Sequence, residues 1–363
     1  MTHRERALAC LNYEPYDRLP LVHFGFWGET LTQWRDDGFL TDDDLHQGSE
    51  FVAREKLGFE YEWNPIYGTN NGLLPTFEPV VVETMADGAQ KVRGGDGVTI
   101  LVKADAGSIP AEIEHLLVDR ASWEEHYLPR LQFSPDRIPS YEHLLNSDQG
   151  ELRLLACGSL FGTIRNWVGV VGSAYILADD EALFTEIIDV CADLTYRCVE
   201  AALASGVRFD VGHYWEDICF KNGPLIHPEV FAEKVGPHYR RTTDLLHQYG
   251  INIVSLDCDG KIDALIPTWL ENGVNTMFPI EVGTWDANIA PWRAQYGREI
   301  RGVGGMNKVV YAYDKAAVDA EIERLKPLVD LGGFIPCPDH RIPPDAKFEN
   351  VAYYCERMRQ IYA

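Results

Sequence analysis

Along the second half of this chain, apolar and polar positions fall into one phrase repeated five times: a glycine, a short apolar run, then a polar cluster. The copies occupy residues 206–217, 250–260, 273–281, 297–307 and 333–340. Glycine just past a helix end takes the left-handed conformation that closes the helix. The apolar run after it reads as a parallel strand covered by helices on both faces. The polar tail then falls where the strand emerges, at its carboxyl end. Helical spacing fills the intervals. Leu183, Phe184, Ile187, Ile188, Cys191, Leu194 and Cys198 mark a long helix near 179–205, with Asp179 or Asp180 placed to cap it. Pro228 opens another helix that Gly250 closes. Val318, Ile322, Leu325 and Val329 mark a later one, and 348–362 a last.

The first half is less regular. Residues 1–17 read as a short amphipathic helix leading into a first strand at 19–24, with Pro20 near its start. Residues 25–65 read as helical and rich in aromatics. Between 79 and 103, Asp87-Gly88 and Gly94-Gly95-Asp96-Gly97 punctuate β-branched alternation, which predicts antiparallel hairpins. A further strand begins at Leu152. The strands at 19–24 and 152 and the five phrases make seven, and an eighth is expected near 60–67 or 163–172. The expected fold is α/β, a (β/α)8 TIM-type barrel spanning 1–363 as a single domain, with a β-hairpin insertion at about 75–105. In such a barrel the catalytic groups sit at the carboxyl rim.

Composition narrows the functional classes. The formal net charge is −24, a field that repels nucleic acid and anionic membranes. No apolar run approaches the roughly 18 residues that cross a bilayer, and the start lacks the apolar stretch of a secretion signal. The eight cysteines are scattered without a C-x-x-C pair, which predicts reduced thiols and a cytoplasmic setting.

The strand-end residues resemble a known superfamily. Asp17-Arg-Leu-Pro20, Gly158-Ser-Leu-Phe-Gly162, Trp215-Glu-Asp217, Asp259-Gly260, Gly304-Gly-Met-Asn-Lys308 and 332–344, closing with Glu349-Asn350, are similar in order to the uroporphyrinogen decarboxylases. The resemblance implies a distorted (β/α)8 barrel with a deep cleft at the strand ends. True porphyrinogen decarboxylases carry an arginine-rich stretch after the first strand, which binds the substrate's carboxylates. Here that place reads Phe24-Gly-Phe-Trp-Gly-Glu29. An octa-acid would find no counter-charge there. The resemblance therefore turns toward the branch that transfers methyl groups to or from corrinoid proteins, often with zinc activating a thiol. That branch shows a His-x-Cys before the strand-end glycine and a late Cys; here the first pair is Asp257-Cys-Asp259 and the late position falls near His340. Ligands to zinc or another divalent metal would then be oxygen and imidazole, from Asp257, Glu281 and His340.

Each candidate has a chemical and a structural reading. His340, ending the last strand, is a ligand or general acid/base, or else a loop-bonded histidine. Glu216 and Asp217 point to opposite faces if the strand stays regular, so one faces the cleft and the other caps or pairs. Asp257 and Asp259 share a face and read as a divalent-cation or proton-transfer pair; Asp259 reads strongly as the cap of a helix starting near Lys261, which leaves Asp257 as the catalytic candidate. Arg165 clamps a substrate carboxylate or pairs across the rim. His213, Trp215, Trp27, Phe24 and Phe26 line an aromatic pocket or belong to the core. The leading function is a methyltransferase working on a small methylated donor or an acceptor, with a separate corrinoid protein, since no Asp-x-His-x-x-Gly segment occurs here. A homodimer is compatible with this. The alternatives are a decarboxylase or other lyase on a smaller acid, and a non-enzymatic corrinoid or tetrapyrrole binder.

Overall fold

A computed structural model describes residues 1–46, 48–63, 66–103, 111–147 and 150–362. The five glycines of the repeated phrase all have positive φ: Gly206 80°, Gly250 79°, Gly273 87°, Gly297 59° and Gly333 60°. Each hands the chain from a helix to a strand. The strands that follow are β9 (Val211–Trp215), β12 (Ile253–Asp257), β13 (Thr276–Ile280), β14 (Arg301–Met306) and β15 (Phe334–Pro338). They are parallel and adjacent in the order β9-β12-β13-β14-β15. Almost every residue in them is buried, as both-face coverage requires; only the last residues of β9 and β12, Trp215 and Asp257, reach partial exposure at the carboxyl ends.

On the other flank β8 (Leu154–Ala156) pairs with β9, and β3 (Ile66–Tyr67) pairs with β8. Just before β3, β2 (Tyr61–Glu62) pairs in parallel with β1 (Val22–His23). The segment after β1 meets the segment after β15 through a parallel bridge between Phe26 and Ile342. The order therefore runs around a TIM-type barrel, with β2 and β3 sharing one position. The eighth strand is the 60–67 alternative; residues 162 onward form the helix Gly162–Asp179 instead. Positions 64–65 lie outside the described residues. β1 is shorter than 19–24 because Pro20 cannot donate to a ladder and Gly25, at φ 94°, turns the chain out.

The helices match the apolar spacing. Glu181–Leu203 buries Leu183, Phe184, Ile187, Ile188, Cys191, Leu194 and Cys198, and Asp180 caps it by accepting from Leu183 N–H. Lys315–Val329 and Phe348–Tyr362 follow β14 and β15. The insertion is larger than the turn signals show. β4 (Val80–Thr84), β5 (Gln90–Arg93), β6 (Val98–Val102) and β7 (Ala111–His115) form one antiparallel sheet in that order. It runs past 105 because β7 adds to β6 across residues 104–110, which lie outside the described residues.

Inside the barrel an aromatic floor sets the depth of the mouth. Phe278 of β13 touches Phe24 at 4.5 Å, His213 at 6.2 Å and Trp63 at 6.4 Å between ring centroids. Side chains above that layer open toward the carboxyl ends.

Candidate active site

Four carboxylates converge above the Phe278 floor. Asp257 ends β12, opposite Trp215 in register. Asp217 and Asp259 lie on the loops after β9 and β12, and Glu281 closes β13. Burial pushes the Asp257 carboxyl well above the usual range, and the charges of Asp259, Asp217 and Glu281 push it further, with Arg341 opposing. Burial raises Asp217 as well, helped by Asp259 and resisted by Arg165 and His340. Glu281 is raised by burial and by Asp259; the Gly260 N–H, Thr284 and His340 hold it back. In all three, burial is the first cause of the rise and the Asp259 charge the second.

The surrounding partners fix what each residue can do. His340 Nε2 lies 3.3 Å from Asp259 Oδ2. Its ring stacks on Trp27 at 5.8 Å and meets Phe24 edge-on at 5.4 Å. Asp259 therefore serves as the partner of His340 rather than as a helix cap; the next helix, Ile266–Glu271, begins too late for it. Arg165 Nη2 donates to the Asp217 carbonyl at 2.6 Å and lies 3.5 Å from its carboxylate. Arg341 Nη1 donates to Phe26 O at 2.9 Å and to Glu50 Oε1 at 3.0 Å.

Glu216 is elsewhere. It is 0% exposed and accepts from the backbone N–H groups of Leu160, Phe161 and Gly162 at 2.7–2.9 Å. Ser159 Oγ and the Tyr239 hydroxyl donate to it too. It caps the helix Gly162–Asp179, satisfying orphan donors that the helix cannot. The strand stops being regular at this point: Glu216 N–H bonds to Asp257 O, and Asp217 takes φ 47°, which swings its side chain to the mouth. Of the two readings for this pair, Glu216 takes the structural one. Phe26 does likewise; at 1% exposed it packs on His23 and Trp34 behind the wall.

A cavity of about 260 Å³ opens beside the carboxylates, lined by Asn71, Ala156, Gly158, Ser159, Thr163, His213 and Trp215. His213 is 2% exposed, with Nδ1 bonded to Ser255 Oγ at 2.6 Å. Burial pulls its pKa down to about 4, so the ring is neutral at physiological pH. Asn71 and Ser159 were not among the sequence candidates. Ser159 lies inside the Gly158-Ser-Leu-Phe-Gly162 segment, whereas nothing in the polar run around Asn71 marks it for a barrel wall.

Comparison with known proteins places this geometry. The family model described as uroporphyrinogen decarboxylase matches residues 169–361, more than half of the chain. The chain belongs to the uroporphyrinogen decarboxylase family. Among solved structures, a methyltransferase from Methanosarcina mazei covers 100% of this chain and 100% of its own at TM-score 0.60 and 15% identity, a likeness of fold. A B12-independent methionine synthase from a Shewanella species covers 95% of this chain and 98% of its own at TM-score 0.47 and 10% identity. No curated protein matches the sequence.

Within this family the metal triad expected from Asp257, Glu281 and His340 is not assembled. Among the described residues no three His, Cys, Asp or Glu side chains share a coordination sphere. Glu281 is held by Gly260 N–H and by the Thr284 hydroxyl at 2.9 Å, and His340 by Asp259. The thiols offer no replacement: all eight cysteines are buried, and Cys258, between the two aspartates, has its thiol pushed well up by burial. As they stand, these side chains do not fit the zinc that the resemblance implies.

Proposed function

We propose that this protein transfers a methyl group between a small methylated compound and a corrinoid carried by a separate protein that docks over the barrel mouth. One observation carries the reading: the mouth concentrates Asp217, Asp257, Asp259 and Glu281, while its arginines are already engaged. A carboxylic acid substrate needs an unneutralised cation to hold it. Arg165 is committed to Asp217 and Arg341 to Glu50, so the lyase alternative lacks its clamp. Methyl transfer needs a positioned donor and a proton for the departing atom.

Asp257 is suited to supply that proton, because burial and like charge keep it neutral where an exposed aspartate has lost its own. As the methyl–heteroatom bond breaks, its electron pair stays on the heteroatom, which takes the Asp257 proton. Asp259 orients His340, and Trp27 covers the imidazole face. A corrinoid on the partner would supply the nucleophile that accepts the methyl group. Trp27, Trp215, Phe220 and Tyr313 are exposed at or beyond the carboxyl ends of the strands, an apolar rim suited to a docking protein. That the Methanosarcina protein of similar fold is a methyltransferase agrees with this reading.

The test is anaerobic mixing with reduced cobalamin and methylated compounds while the corrinoid absorbance is followed. Methylcobalamin should form, and Asp257→Asn should slow it by about 10²-fold or more. Release of carbon dioxide from a small acid with no corrinoid change would overturn the assignment in favour of a lyase.

A further inference from the structure

Two residues that line the cavity beside the carboxylates each carry a polar atom that no described residue satisfies. His213 Nε2 and Asn71 Nδ2 are both shut from solvent with no hydrogen-bond partner among the described residues. Leaving such a group unpaired costs about 1–3 kcal/mol. Both residues line the same cavity, and each atom lies just beneath its surface. The wall is otherwise settled: Ser159 Oγ donates to Glu216 and accepts from Thr163 N–H at 2.9 Å. A Cβ on Gly158 would come within 2.1 Å of Asn71 Nδ2, so the glycine makes the room in which the Asn71 amide lies.

We infer that this cavity seats the non-transferred part of the substrate, and that the substrate class is a non-anionic compound bearing an oxygen acceptor. This rests on the assignment of the mouth as the site of methyl transfer. The Asn71 amide nitrogen can only donate, so its partner is an acceptor. The neutral His213 ring offers Nε2 as a second contact. Among the described residues no cation lines the cavity, and the neighbouring carboxylates repel a negative ligand. An ether, amide or phenol fits these terms; a carboxylate or phosphate does not. The indole of Trp215 provides an apolar face at the entrance. In register Trp215 lies beside Asp257 and His213 beside Ser255, so a ligand oxygen in the cavity sits one strand from the acid that would protonate it.

The test is binding to the isolated protein, without corrinoid, of three probes of similar size: methoxybenzene, toluene and benzoate. Tryptophan fluorescence or calorimetry reads the affinity. Methoxybenzene should bind at least about 5-fold more tightly than toluene, the worth of one buried hydrogen bond. Benzoate should bind more weakly than either. Asn71→Ala should bring methoxybenzene down to the toluene level and leave toluene unchanged. His213→Phe should weaken methoxybenzene and leave toluene unchanged; if that variant does not fold, the Asn71→Ala comparison decides the matter. Equal binding of methoxybenzene and toluene, or preferential binding of benzoate, would overturn the inference. Since no transfer is measured, that result is separable from a failure of the methyltransferase reading, which the corrinoid assay addresses.

Discussion

At the scale of single residues, Asp257 and His213 move stability in opposite directions with pH. Asp257 has a folded pKa raised well above that of the unfolded chain, so the fold binds more protons there than the unfolded chain does. Its contribution is fully present below the unfolded pKa, about 4, and is lost as pH rises through the folded value. Asp257→Asn removes that loss. Thermal melts should show the variant at least as stable as the parent at pH 8, with the difference closing toward pH 4, although the variant is poor in methyl transfer. A parent that gains stability on Asp257's account as pH rises would contradict the assignment. His213 works the other way. Its pKa falls to about 4 through burial, so the stability it allows is present above its unfolded value of about 6.5 and is lost as pH drops toward 4. Denaturation midpoints measured from pH 7 to 4 should fall less steeply in His213→Phe than in the parent.

At the scale of elements, the entry to the helix Gly162–Asp179 depends on one carboxylate. Glu216 takes the backbone N–H groups of Leu160, Phe161 and Gly162 at the helix entry and the Tyr239 hydroxyl from the neighbouring helix Gly236–Gln248. Removing it leaves these donors buried and unpaired, which costs about 3 kcal/mol. Glu216→Ala should lower the urea midpoint accordingly, and Glu216→Gln, which retains one acceptor oxygen, should lie between. Gly162→Ala should be at least as damaging, since a Cβ there would stand 1.8 Å from the Glu216 carbonyl oxygen. A Gly162→Ala protein of undiminished stability would rule out this packing. The same element shows how far the sequence could be read. The strands after Gly206, Gly250, Gly273, Gly297 and Gly333 were legible because each glycine needs positive φ and each apolar run is buried on both faces. The direction of the Glu216 side chain was not. A period of two predicts faces only while a strand continues, and this one ends at Trp215 with Asp217 left-handed. The extent of β4–β7 escaped for a related reason: hairpin turns announce themselves locally, whereas β7 joins its sheet across a long connection. Asn71 enters the wall only because Gly158, distant in sequence, has no side chain.

At the scale of the whole molecule, charge decides which ligands approach. The chain carries −24, and its mouth gathers four of those carboxylates, so the global and local fields share a sign. Field lines focus into a cleft with low-dielectric walls, which favours neutral and cationic ligands over anions. Protonation of Asp257 removes one charge and leaves the rest to act. The consequence is testable with one skeleton in three charge states: methoxybenzene, a methoxybenzoate and a methoxybenzylammonium. At about 10 mM salt the Debye length is roughly 30 Å, long enough for the entire acidic surface to act on the ligand. There the anion should bind worst. At about 1 M salt the length shrinks to roughly 3 Å, and only charges inside the cleft count. The ratio of cation to anion affinity should therefore fall with salt while the neutral compound changes little. A residual preference against the anion at high salt would measure the carboxylates around Asp257 themselves. A ratio that ignores salt would place the selectivity in the cleft alone. A reversed ratio, with the anion favoured, would mean that Arg165 or Arg341 leaves its carboxylate to hold the ligand, and would restore the carboxylic acid substrate that the engaged arginines now argue against.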